Sequence, residues 1–383
     1  MPAPVRRSRT VLTGYFLGLG VIMAVWGARM PAVQAAADLT TAQLSLVLLA
    51  AAVGMVVGLR TGARLARPER LPMLLSFGSI GLAAALAALG QCRTLSGLLV
   101  TAAGFGLAHG VLDVAANTAA VRCQNAAGRP VMSSLHAAYS LGALGGATLA
   151  AVTPPTTPHD RLFLITGLAL AGCAGAAVRH TRAVTATDHP TAPSSLEGAG
   201  RGVGLPRGRL WLLGALAAAT LLGEGAAADW AAVHLHHLDA PTALSAAAFA
   251  LYSAAMAVGR LTGDRLTAAF GAPALVRTGA LTAAAGLATG TLTDSIPLAL
   301  AGWTLFGLGL ATTVPALITA AGHGGPHAVA TVSVTGYLGL LAGPALIGAL
   351  ATLTTLPLAL LLPALLATAV AALAHRALEN PTP

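Results

Sequence analysis

Lysine is absent from the 383 residues, and charge of any kind is scarce: 21 arginines and 12 acidic residues amount to 9% of the chain, against roughly 25% in an average soluble protein. So few charges cannot cover a globular surface of this length, which excludes a soluble globular enzyme. The 56% of hydrophobic residues excludes the disordered class, which needs low hydrophobicity and high charge. Cysteine is nearly absent too. Cys92, Cys123 and Cys173 are odd in number, far apart and outside any C-x-x-C, so neither a disulfide framework nor a zinc centre is supported. No Walker loop, G-x-S-x-G or H-E-x-x-H occurs, so no ATP-driven or enzymatic reaction is expected, and no cofactor or metal. The remaining class is a polytopic membrane protein. Aromatics are only 4%, and 45 glycines and 22 prolines suit packed or bent membrane helices.

A membrane helix needs about 20 apolar residues. Twelve stretches meet that need, at roughly 11–31, 42–62, 72–91, 96–118, 131–152, 161–179, 210–231, 243–263, 273–293, 297–320, 328–350 and 355–374. The first carries Trp26 and Arg29 and is too long for a signal-peptide core, so it reads as an uncleaved first helix. The net charge of +9 reads as topological, because no arginine cluster is interleaved with aromatics as a nucleic-acid surface would be. With the N-terminus inside, eighteen arginines fall on the cytoplasmic side and only Arg29, Arg93 and Arg161 outside. Both termini are then cytoplasmic. The expectation is an all-α membrane protein: 12 transmembrane helices in two pseudo-symmetric six-helix bundles, 1–180 and 209–383, joined by a Thr/Ala/Pro/Gly-rich cytoplasmic linker at 181–208.

The halves echo each other. Val57-Gly58-Leu59-Arg60-Thr61-Gly62-Ala63-Arg64-Leu65 and Val258-Gly259-Arg260-Leu261-Thr262-Gly263-Asp264-Arg265-Leu266 agree at six of nine positions, 201 residues apart. Ala28-Arg29-Met30-Pro31-Ala32-Val33 matches Ala228-Asp229-Trp230-Ala231-Ala232-Val233 at an offset of 200. A parallel six-plus-six repeat is the signature of one transporter class.

On these features the chain resembles the major facilitator superfamily over essentially its whole length. The loops after spans two and eight resemble the family's G-x-x-x-D-R-x-G-R motif loosely: Gly62, Arg67 and Arg70 are kept in the first half, with Ala66 at the acidic position. In the second half Gly263, Asp264 and Arg265 form the loop, with Thr267 at that position and Asp264 one turn earlier. Within the superfamily, Trp26–Pro31, Leu112–Asn117, Ser133–Ser140 and Gly223–Trp230 resemble a bacterial inner-membrane branch near the fucose/proton symporters, which includes the rhizopine-associated membrane proteins. The resemblance implies solute transport coupled to protons, by a monomer in the cytoplasmic membrane. Proton-driven efflux of small organic molecules is the alternative.

Ionisable groups inside hydrocarbon are costly and point to function. Most charges here fall in loops and at span ends; Asp113, Glu224 and Asp229 do not. His109, Asp113 and Asn117, spaced by four, share one face of span four, and His136 is expected near the depth of Asp113. Glu224 lies about 14 residues into span seven, some 21 Å deep and past the midplane of a roughly 30 Å core. Its glycine neighbours permit bending or close approach. Asp113 and Glu224 are the candidates for proton coupling or solute binding, with His109, Asn117 and His136 beside them. Arg29 and Asp229 occupy matching places in spans one and seven and are expected to pair as an outer gate. Trp26, Tyr139 and Trp303 are candidate cavity walls, while His234, His236 and His237 are expected as solvated loop residues.

Overall fold

The computed structural model describes residues 1–154, 157–182 and 205–379, and every regular element among them is helical. Residues 183–204, most of the expected linker, lie outside the described residues. Two compact units emerge: Met1–Gly128 with Ala138–Gly202, and Arg129–Ala137 with Val203–Pro383.

The first unit holds α1 (Ala3–Ala28), α2 (Met30–Ala36), α3 (Thr41–Leu65), α4 (Leu71–Gln91), α5 (Leu95–Ala127), most of α6 (Met132–Val152) and α7 (His159–Thr181). The second holds α8 (Arg207–His237), α9 (Thr242–Phe270), α10 (Ala272–Thr291), α11 (Ile296–Leu310), α12 (Thr313–Gly322), α13 (Gly325–Leu353), α14 (Leu356–Ala359) and α15 (Leu361–Leu378). In the first unit α3 packs on α5 and α4 on α7; in the second α9 packs on α11 and α10 on α15. That pairing gives the sequence echo a structural counterpart inside each unit.

Ten helical stretches among the described residues are long and apolar enough to cross a membrane. The other two expected spans are also helical, as α9 and α10. The helices run past the expected boundaries: α5 has 33 residues and α8 has 31, about 50 and 46 Å at the usual rise. Arg6, Arg7 and Arg9 accordingly sit on the first turns of α1, and His234, His236 and His237 on the last turns of α8. Three expected spans are each interrupted within the four residues before a proline, whose ring removes an amide and crowds a carbonyl of the preceding turn. The breaks are at Arg29 ahead of Pro31, at Ala311–Thr312 ahead of Pro315, and at Leu360 ahead of Pro363.

Large apolar side chains point outward, Phe77 at 70% and Val100 at 73% exposure, as expected where the surrounding medium is lipid. Inside, small residues let backbones meet. A Cβ on Gly58 of α3 would overlap the Leu107 carbonyl of α5, and one on Gly110 would overlap Met55. Gly58→Leu should therefore cost about 3 kcal/mol or more by overpacking. It should show as a marked loss of monodisperse protein on size-exclusion chromatography, with Gly128→Ala, at an exposed helix end, as the milder control.

Candidate functional site

Three polar groupings stand in the apolar helices. The first is in the second unit. Glu224 sits midway along α8, between glycines that a neighbour uses: a Cβ at Gly225 would lie 2.6 Å from the Leu340 carbonyl, and one at Gly223 2.8 Å from the Phe306 ring. Arg260 of α9 donates from Nη2 to Glu224 Oε1 at 3.2 Å. The Arg260 side chain is 7% exposed and Glu224 19%, so this is an ion pair largely removed from solvent, with the carboxylate as its more open member. Tyr252, one helical stretch earlier on α9 and buried, lies within the electrostatic reach of both charges. It also packs against Phe249 and Phe306, with ring centroids 6.0 and 5.9 Å away.

The second grouping lies one turn further along α9. Asp264 accepts the Ser133 amide at 2.9 Å and the Ser134 amide at 3.1 Å, N–H groups of the first turn of α6. A carboxylate there satisfies orphan donors and complements the helix dipole. Gly263 permits the approach, since a Cβ there would be 2.8 Å from the Ser133 side chain. His136, one turn into α6, falls in the segment that groups with the second unit, and Arg260 is its charged neighbour. Replacing Asp264 by Ala should cost about 1 kcal/mol at this cap. It should speed amide exchange of Ser133 and Ser134 roughly five-fold, read by hydrogen–deuterium exchange.

The third is in the first unit. His109, Asp113 and Asn117 line one face of α5, and all three are buried. Asn117 donates from Nδ2 to the Asp113 carbonyl at 3.0 Å and to its carboxylate Oδ1 at 3.2 Å, so the asparagine braces the acid along the helix. Trp26 packs against Phe105 of the same helix, centroids 4.9 Å apart, and the half-buried Tyr139 stands on α6. Arg29, at the α1–α2 break, donates to the carbonyls of Ala150 at 2.9 Å and Thr153 at 3.1 Å. There its charge faces the negative end of α6. Asp229 is an exposed residue of α8. Gly62 is buried at the end of α3, whereas Arg67, Arg70 and Arg265 are exposed.

Two expectations need correction. Trp303 is fully buried, donates from Nε1 to His234 Nδ1 at 3.2 Å and meets Phe306 edge-on. It belongs to the core of the second unit and not to a cavity wall. His234 is correspondingly a buried residue of α8 and not a solvated loop histidine, because the helix continues for two turns beyond the expected span. Arg260, near the end of its expected span, reads from sequence as one of the arginines that set topology, whereas its side chain pairs with Glu224. The repeat carried the signal: Arg260 and Asp264 stand opposite Leu59 and Ala63, both buried in the first half. A charge in the register of a buried leucine needs a partner.

A largely buried ion pair and a braced carboxyl thus stand in long apolar helices, where ionisable groups are costly. No family model matches the chain. It is 32% identical over 376 residues to an uncharacterised transporter, y4wD, of Sinorhizobium fredii, covering 96% of this chain and 97% of the relative. It is also 32% identical over 379 residues to an uncharacterised MFS-type transporter of Yersinia pestis, covering 96% and 94%. The fold matches the E. coli fucose:proton symporter FucP in its outward conformation, with a TM-score of 0.73 at 18% identity over 97% of this chain and 98% of that one. The chain belongs to the major facilitator superfamily and is a multi-pass membrane protein.

Proposed function

We propose that the protein is a proton-coupled symporter of a small polar solute, with twelve spans in two six-helix halves, both termini in the cytoplasm, and alternating access between the halves. The observation that carries the reading is the Glu224–Arg260 pair. A charge in hydrocarbon must be neutralised, and Glu224 has two ways to achieve this: the guanidinium 3.2 Å away or a proton. Arginine cannot give up its own proton, so the carboxyl is the switching member. Protonation frees Arg260 from Glu224 and makes the loaded site neutral enough to reorient. Asp113, braced by Asn117, is the corresponding acid of the first half, and His109 and His136 supply further polar surface.

The Asp264 cap on α6 serves as a cytoplasmic clasp that forms and breaks in the cycle, with Gly62, Arg67 and Arg70 as its counterpart in the first half. Arg29 and Asp229 form the outer clasp when that side closes, with Arg29 leaving the carbonyls at the end of α6. The solute class follows from the few, dispersed polar groups and from Trp26 and Tyr139, which suit a sugar-like molecule; the fucose:proton symporter shares the fold. A thermal-stability screen of the purified protein against sugars, polyols, amino acids and drugs tests this assignment. Stabilisation by monosaccharides or polyols supports it, and stabilisation by apolar drugs alone would reject it in favour of efflux.

A further inference from the structure

Most glycines of the first unit serve close packing, but Gly14, Gly18 and Gly27 of α1 do not. A Cβ at Gly20 would overlap the Tyr139 carbonyl of α6, whereas one at Gly14 would meet nothing within 4 Å and one at Gly18 only a Leu170 methyl at 3.7 Å. The space left is a cleft of about 120 Å³ between α1 and α7, lined by Val11, Gly14 and Gly18 on one side and Leu170, Cys173 and Ala177 on the other. It extends along α1 as far as Ile22, about 16 Å at the helical rise. Its walls are mainly apolar, with Tyr15 and Ser79 as polar members, and Cys173 is exposed in it.

The two ends of the cleft differ. The Tyr15 hydroxyl is bonded to Thr181 at 2.9 Å and to Ser76 at 3.3 Å, which ties the middle of α1 to the end of α7. Arg7 lies one turn before Val11 on the same face of α1 and is exposed. On α7, His180 continues the face of Cys173 and Ala177 beyond the cleft; it is exposed and its Nε2 accepts from Arg179 Nε at 3.1 Å, Arg179 standing on the other face of the helix. Among the described residues no charged side chain lines the cleft itself, so Arg7 stands just beyond its Val11 end.

We propose that this cleft is a binding site for an anionic phospholipid, with one acyl chain between α1 and α7 and the phosphate at Arg7. An apolar slot open to a bilayer is filled by lipid tails, and a cation beyond only one end, Arg7, selects the sign of the headgroup. A soluble anion would find the cation but gain nothing from the slot. The inference stands on the first unit alone and is independent of the transport reading.

The test uses the full-length protein in mild detergent, with N-ethylmaleimide modification of Cys173 followed by peptide mass spectrometry. Phosphatidylglycerol at ten times its dissociation constant should slow the reaction at Cys173 roughly ten-fold and leave Cys92 unchanged. Phosphatidylcholine with the same chains should protect less, and inorganic phosphate not at all. Arg7→Gln should remove the preference for phosphatidylglycerol while keeping protection by the chain, and Gly18→Leu, which fills the slot, should remove lipid dependence altogether. Equal protection by both lipids, protection by phosphate alone, or a preference that survives in Arg7→Gln would overturn the proposal.

Discussion

Glu224→Gln is expected to abolish accumulation of solute driven by a pH gradient in proteoliposomes while leaving exchange of labelled for unlabelled solute in place. The amide keeps the shape of the protonated carboxyl and can still accept from Arg260 Nη2, but it neither takes up nor releases a proton. The site is thereby held in its neutral form, in which the loaded carrier reorients but the proton-dependent step is lost. Asp113→Asn is expected to act in the same direction, because Asn117 can go on bracing the amide through its bond to the Asp113 carbonyl. Unchanged gradient-driven uptake in both variants would remove proton coupling from these acids.

Arg260→Leu is expected to have the largest effect on stability. Leucine is the residue the first half carries at the matching position, Leu59, where it is fully buried, so the side chain suits the place and the loss is one of charge balance. Removing one partner of a buried pair leaves an uncompensated charge, at a cost of about 3–5 kcal/mol. Glu224 would then have to take up a proton or draw in water. Combining Arg260→Leu with Glu224→Gln removes both charges and should restore most of that stability, since replacing a buried pair entirely is often close to neutral. Melting temperatures of the two single variants and the double variant in detergent give the coupling directly. Additive losses would show that the two side chains do not act as a pair.

Much of the architecture is visible in the composition. A chain with so little charge has few places to put it, and the arginines mark the helix ends. The acids Asp113 and Glu224 stand out for the same reason: each interrupts a long apolar stretch. What the sequence hid has specific physical causes. Arg260 lies close enough to the end of its expected span to pass for a topological charge, although its side chain turns inward to Glu224. Its place opposite the buried Leu59 in the repeat is the signal that marks it. His234 lies beyond the expected end of span seven. Helix α8 nevertheless continues to His237, because alanine-rich turns extend readily, and the histidine is buried against Trp303. The role of Asp264 depends on a contact with Ser133 and Ser134, 130 or so positions earlier, and no local pattern announces such a partner. The breaks at Arg29, Ala311–Thr312 and Leu360 are local: each precedes a proline by a few residues and is readable from the chain alone.

Central to the account is a proton gradient driving a solute through the Glu224–Arg260 site. The most direct test is uptake by the wild-type protein in proteoliposomes with an alkaline interior, using a labelled solute that stabilises it in the thermal screen. Accumulation above the external concentration, collapsed by a protonophore and accompanied by inward proton movement, is the predicted result. Equilibration without accumulation, or solute extrusion driven by the same gradient, would contradict it.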